Sequence, residues 1–132
     1  MNSKWYRKMQ NKLIKYVYVS GPFTSDPTTN THKAIKMADQ LSALGLFPFI
    51  PHLMLLWDAV SPRSYEEWMN YDIAWLERCD AIIRIPGESS GSDREVAHAS
   101  RLGIPIFFNI SDLWSSQQEY LQKSSVLDSK HT

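Results

Sequence analysis

Between Tyr16 and Ile110 short β-branched or aromatic runs, closed by turn signals, alternate with stretches of helical spacing, without an internal sequence repeat. "YVYVS" (16–20) stops at Gly21-Pro22, which marks a buried strand followed by a tight turn. From Asn30 or Thr31, the residues Ala34, Met37 or Ala38, Leu41 and Leu44 recur on one helical face, and Gly45 is a stop signal. "LFPFI" then reads as a second strand ending at Pro51. "HLMLLWDAVSP" has no clear period and reads as a loop with a helical turn. A second helix starts near Ser64, with Glu67 as its capping partner, and carries Trp68, Tyr71 or Asp72, Trp75 and Leu76. "AIIRI" is the third strand, and a third helix runs from about Ser92 to Leu102, stopped by Gly103. "IPIFFNI" is the fourth strand, and a last amphipathic helix begins near Ser111.

Strands that alternate with helices require a parallel sheet with right-handed crossovers, covered on both faces. The expected fold is therefore α/β, a Rossmann-like or flavodoxin-like three-layer sandwich around a central parallel sheet of four to five strands. With 132 residues there is room for one such domain, at 15–123, between a basic leader at 1–14 and a flexible tail at 124–132. In open sheets of this kind ligands bind beyond the carboxyl ends of the strands. "SGPFTSD", "PHLMLLWD" and "PGESSGSDRE" then share one rim.

Composition removes several function classes. The longest apolar stretch, "GLFPFIPHLMLLW", holds two prolines and a histidine and is too short for a membrane span, which takes about 20 apolar residues. Fourteen basic residues balance fourteen acidic ones, so no global charge argues for a nucleic-acid polymer as partner. The balance is uneven: Lys4, Arg7, Lys8, Lys12 and Lys15 precede any acidic residue. Cys79 is the only cysteine, which fits a reducing, cytoplasmic compartment, and its place at a helix end before a strand is that of a structural thiol.

The chemistry-bearing residues converge on the third rim segment. Ser92 followed by Glu95 has capping-box spacing, and Ser89, Ser90 and Gly91 surround a helix N-terminus that favours negative charge. Neither a GxGxxG nor a P-loop pattern is present. Asp72 lies on a helix among Trp68, Trp75 and Leu76, facing either solvent or the pocket. Two carboxylates in a partly apolar pocket push their pKa values apart, which leaves one acid and one nucleophile. Retaining glycosidases use this pairing with a separation of roughly 5–5.5 Å. His52 ends a strand and reads either as a base contact or as a hydrogen-bonded structural residue. Phe23 and Trp57 read either as stacking faces for a base or as core. His98, three after Glu95, does not make a metal site by spacing alone.

"YVSGPFT", "Dx₂Wx₃CDAII" and "PGxSxGSxxE" followed by "AxxxGIPIFF", in this order, resemble the nucleoside 2-deoxyribosyltransferase family and the related nucleotide N-hydrolases, over roughly Tyr16 to Asn109. The resemblance implies an N-glycosidase or transferase that needs neither metal nor organic cofactor. Its expected substrate is a nucleoside or nucleoside 5′-monophosphate, cleaved through a covalent glycosyl-Glu95 intermediate. It further implies that Asp72 protonates or orients the leaving base and that Tyr18 positions the nucleophile. Ser89, Gly91 and Ser92 would grip the sugar or a 5′-phosphate, and Gly21, with Pro22 and Phe23, would form the turn that passes close to the ligand. Pro22 and Thr24 stand where the nucleotide hydrolases carry serine and arginine. Family sites are often completed across a dimer, so a homodimer or higher homo-oligomer is expected. A non-catalytic nucleotide sensor built on the same rim is the alternative.

Overall fold

The structure, a computed structural model, describes residues 13–130. Four strands, β1 (Tyr16–Ser20), β2 (Phe47–Phe49), β3 (Ala81–Arg84) and β4 (Ile106–Phe107), form one sheet in the order β2-β1-β3-β4, and every pairing is parallel. Five α-helices cover it: α1 (Pro27–Ala43), α2 (Met54–Val60), α3 (Tyr65–Leu76), α4 (Ser90–Leu102) and α5 (Ile110–Lys130). This is the three-layer α/β sandwich that the alternating pattern predicts.

The period of two along β1 sorts its side chains between the layers. Val17 and Val19 pack with Ala81 and Ile83 against Ala34 and Leu41 of α1 and Leu113 of α5. Tyr18 points the other way and packs with Ile82 against Leu76 of α3 and Ala99 of α4. All four strand ends that matter for a ligand therefore meet one rim, where α3 and α4 begin.

Local chemistry moves several boundaries away from the sequence reading. Helix α1 begins at Pro27, three residues earlier than expected, because Asp26 accepts a hydrogen bond from the Thr29 N–H at 3.2 Å and Pro27 takes the first helical position. The segment after Pro51 is a short 3₁₀ turn (Pro51–Leu53) that runs directly into α2, rather than a loop with one turn. Strand β4 keeps only two of the seven residues expected, since Asn109 accepts from the Asp112 N–H at 2.8 Å and so starts α5. That helix continues to Lys130, across residues that read as a loose tail. Helix α3 starts as its spacing predicts, with the reciprocal Ser64–Glu67 capping box in place.

Residues 1–12 of the basic leader lie outside the described residues. Ile14, expected in the leader, instead belongs to the core: it is buried, and its N–H and carbonyl pair with the Gln117 side chain at 3.0 and 2.8 Å. Cys79 is buried, and burial first, then the nearby Asp80 carboxylate, push its thiol up to about 11, so it is an inert packing residue.

Candidate active site

At the carboxyl end of the sheet a cavity of about 260 Å³ opens between the loop after β1, the 3₁₀ turn and α2, helix α3, and the start of α4. Its floor is Glu95. This residue was read as half of a capping box, and the structure overturns that reading. The cap of α4 is Ser89, whose Oγ accepts from the Ser92 N–H at 3.1 Å. Glu95, relieved of capping, turns inward and is 5% exposed. The Tyr18 hydroxyl donates to its Oε2, and the Ser20 hydroxyl donates to its Oε1 at 2.8 Å. Tyr18 and Ser20 are two apart on β1 and so share the face that looks at α4.

The electrostatics follow from burial. Desolvation raises the Glu95 pKa above the usual carboxylate value, while the hydrogen bonds from Tyr18 and Ser20 and the charge of Arg84 pull it back down. Tyr18 is held far above the ordinary phenol value by burial and then by the Glu95 and Asp72 carboxylates, so it remains a neutral donor. Asp72 also lines the cavity, and burial, followed by the proximity of Glu95, pushes it up to about 8. At neutral pH Asp72 thus keeps its proton, beside a second buried carboxyl, Glu95, that accepts hydrogen bonds from two hydroxyls.

Four buried side-chain atoms lack a hydrogen-bond partner among the described residues: Thr31 Oγ1, His52 Nδ1, Asp72 Oδ1 and Ser92 Oγ. Three of the four belong to residues that line this cavity. Buried polar atoms are nearly always satisfied, so such a concentration leaves hydrogen-bonding capacity in the cavity for water or a polar ligand. His52 Nε2 donates to the Pro22 carbonyl at 3.0 Å, and burial lowers its pKa, which keeps the ring neutral.

The remaining sequence candidates sort by placement. Gly21, Phe23, His52, Ser89, Gly91 and Ser92 line the cavity, as do Asp72 and Glu95. Tyr18 is fully buried beneath it and reaches it through Glu95. Pro22 and Trp57 are not lining residues. The Pro22 ring instead fills the space beside Gly87, where an added Cβ would lie 2.7 Å away. Trp57 packs edge-on against Trp68 at 5.3 Å, with the Arg63 guanidinium over its outer face at 4.5 Å. Trp68 lines the wall in place of Trp57, its indole N–H donating to Asp58 at 2.6 Å. The close approach at Gly21 is to protein: a Cβ there would meet Ile85 at 3.0 Å. His98 pairs with Glu77 at 2.8 Å, outside the site. Ser20 and Arg84 went unread in the sequence, although each carried a signal: a polar residue two after Tyr18 in a buried strand, and a cation inside "AIIRI".

Among the described residues no group of three or more His, Cys, Asp or Glu side chains is arranged to hold a metal ion, and no helix is long and apolar enough to cross a membrane. Fold and site together define an α/β domain with a buried, hydroxyl-bonded carboxylate at the floor of a rim cavity. The family model described as "Domain of unknown function (DUF7768)" matches residues 15–109, and the chain belongs to that family. Among solved structures, the 2-desoxiribosyltransferase from Leishmania mexicana is similar, with a TM-score of 0.55 and 22% sequence identity. The match covers 70% of this chain and 61% of that one, and it shows a shared fold. No curated protein matches.

Proposed function

We propose that the protein cleaves the N-glycosidic bond of a nucleoside, a deoxynucleoside or a nucleoside 5′-monophosphate, with Glu95 as the nucleophile. The observation that carries this reading is the buried Glu95 carboxylate, held by the Tyr18 and Ser20 hydroxyls and faced by a protonated Asp72 in a cavity lined by unmatched polar atoms. The Glu95 oxygen attacks the anomeric carbon as the bond to the base nitrogen breaks, and the leaving base takes the Asp72 proton. Positive charge that develops on the sugar is stabilised by the nearby carboxylate. The resulting glycosyl ester is resolved by water, giving hydrolysis, or by a second base, giving transfer.

The hydroxyl donors fit this task because they hold the carboxylate in one orientation without neutralising it. Trp68 and Phe23, together with Met54 and Leu55, supply an apolar wall suited to the flat face of a base. The fold likeness to a 2-desoxiribosyltransferase supports the reading at the level of architecture. A homo-oligomer in which a neighbouring copy closes the cavity is part of the same proposal.

The test is to incubate wild type, Glu95→Gln and Glu95→Ala with a panel of nucleosides and monophosphates and to follow free base by chromatography. Wild type should release base from at least one substrate, and both variants should lose about a thousandfold or more of that rate while remaining folded. Equal rates in wild type and Glu95→Gln would end the proposal.

A further inference from the structure

Arg84 is the last residue of β3, and its side chain is only 10% exposed. A buried guanidinium persists only when its donors are used. Here it donates to the Ile85 carbonyl, to the Gly87 carbonyl at 2.8 Å and to Asp93 Oδ1 at 3.3 Å. Asp93 is 75% exposed, so that ion pair is weak and does not explain why a cation sits at the end of an apolar strand. The strand register does. Arg84 pairs with Ser20, and laterally paired residues of neighbouring parallel strands project to the same face of the sheet. That is the face on which Ser20 donates to Glu95.

We infer that Arg84 is a positioning residue for the proposed reaction, fixing the turn that launches α4 and supplying a permanent positive charge beside the buried nucleophile. The first duty is visible in its bonds: two carbonyls of the loop after β3 are tied to one planar fork, and Ser89, the cap of α4, follows directly. The second follows from where the fork lies. The titratable groups that share the cavity with Glu95 are His52 from the 3₁₀ turn, Asp58 from α2, Tyr65 and Asp72 from α3 and Glu88 from the loop before α4, with Tyr18 bonded to it from β1 and Asp93 two residues before it on α4. Tyr18 and His52 are neutral, and Asp72 and Asp93 supply no positive charge. Arg84 supplies a fixed positive charge that opposes the effect of burial on the carboxylate, whereas Arg94, next to Glu95 on α4, is paired outward with Glu66.

The inference rests on the proposed function for the word "positioning", but the charge coupling is measurable without turnover. Carbon NMR titration of the Glu95 side chain in wild type, Arg84→Lys and Arg84→Gln reads the coupling directly, and kcat/KM against pH reads its effect on reaction. Arg84→Gln keeps polar donors and loses the charge. Its Glu95 should titrate at higher pH than in wild type, and its kcat/KM should fall about tenfold further at pH 5 than at pH 8. Arg84→Lys keeps the charge and loses the fork. Its titration should match wild type while kcat drops and KM holds. If Arg84→Gln does not fold, Arg84→Met preserves the stem without leaving donors unpaired and carries the same expectation. Unchanged Glu95 titration in the folded, uncharged variant overturns the inference. A wild type that releases no base from any substrate overturns the proposed function instead, and the NMR comparison still decides whether Arg84 sets the charge of Glu95.

Discussion

The two faces of the sheet share strands but not chemistry. On the α1 and α5 side, Val17, Val19, Ile83, Leu41 and Leu113 form a fully buried apolar layer without a charged group. On the α3 and α4 side, one residue along each strand, Tyr18, Ser20 and Arg84 surround a buried carboxylate. Burial of apolar area contributes roughly 25 cal/mol per Å², so the first face stabilises the fold. Burying Glu95 and Asp72 does the opposite, as their raised pKa values record. Separating the two tasks lets one layer hold the other in an arrangement it would not adopt unaided.

The sharpest way to break this contrast is Asp72→Asn. On the proposed reading it removes the proton donor to the base, and the rate of base release should fall about 10²- to 10⁴-fold. Stability should move differently. The folded protein holds the Asp72 proton up to about pH 8, against an ordinary value of 3.8. The stability linked to that proton is therefore fully present below 3.8 and lost as pH rises through 8. Urea unfolding of wild type between pH 5 and 8 should show a free energy that declines with pH by an amount on the order of a few kcal/mol, and Asp72→Asn should flatten the decline. Asp58 and Glu66, whose values are lowered, lose their contributions in the acid range below this window. An identical slope in both proteins would mean that Asp72 is not kept protonated by the fold.

Next in size is the apolar face. Leu41→Ala opens a cavity in a fully buried position and should cost about 3 kcal/mol by thermal or denaturant unfolding. The pH profile of base release should not move, because Leu41 packs in the opposite layer from Tyr18, Asp72 and Glu95. A shift of that profile would show that the faces are coupled. Ser20→Ala, on the opposite face, should reverse the pattern. Losing one hydrogen bond to a carboxylate weakens the anion by about 1.5 kcal/mol and displaces the acidic limb of kcat/KM upward. Its effect on unfolding should be small, since the Glu95 proton is held more tightly in compensation.

Much of the architecture was legible because it is written in periodicity. "YVYVS" and the apolar spacing of Ala34, Ala38 and Leu41 reach the structure unchanged, since burial enforces both. The boundaries that moved are those set by a single side chain, such as Asp26 before Pro27, where a local bond outweighs the apolar pattern. Of the residues that meet at the cavity, Glu95 and Asp72 are legible as a candidate carboxylate pair, although spacing alone leaves Asp72 free to face solvent, and Tyr18 enters by resemblance. The sequence offers Trp57 as the stacking face and the cavity is lined by Trp68 instead, because which aromatic faces it depends on how α2 leans on α3, a tertiary fact. Arg84 was missed because a strand pattern averages over one cation, although a charge in an apolar run always needs an explanation.

The smallest effect separates two serines that the sequence exchanged. Offsets of three join Ser89 to Ser92 and Ser92 to Glu95 alike, and only the inward turn of Glu95 decides which pair caps α4. Ser89→Ala should cost about 1 kcal/mol in unfolding, the usual value of a lost cap. Ser92→Ala removes a hydroxyl that has no protein partner, so stability should stay level or rise. In a binding measurement with Glu95→Gln as background, the same Ser92→Ala change should weaken the substrate analogue several-fold, because a ligand in the cavity is what that hydroxyl lacks. If instead Ser92→Ala destabilises the fold as a cap would and leaves ligand affinity unchanged, the unmatched atoms of the cavity belong to the scaffold, and the line between its structural and reactive faces must be redrawn.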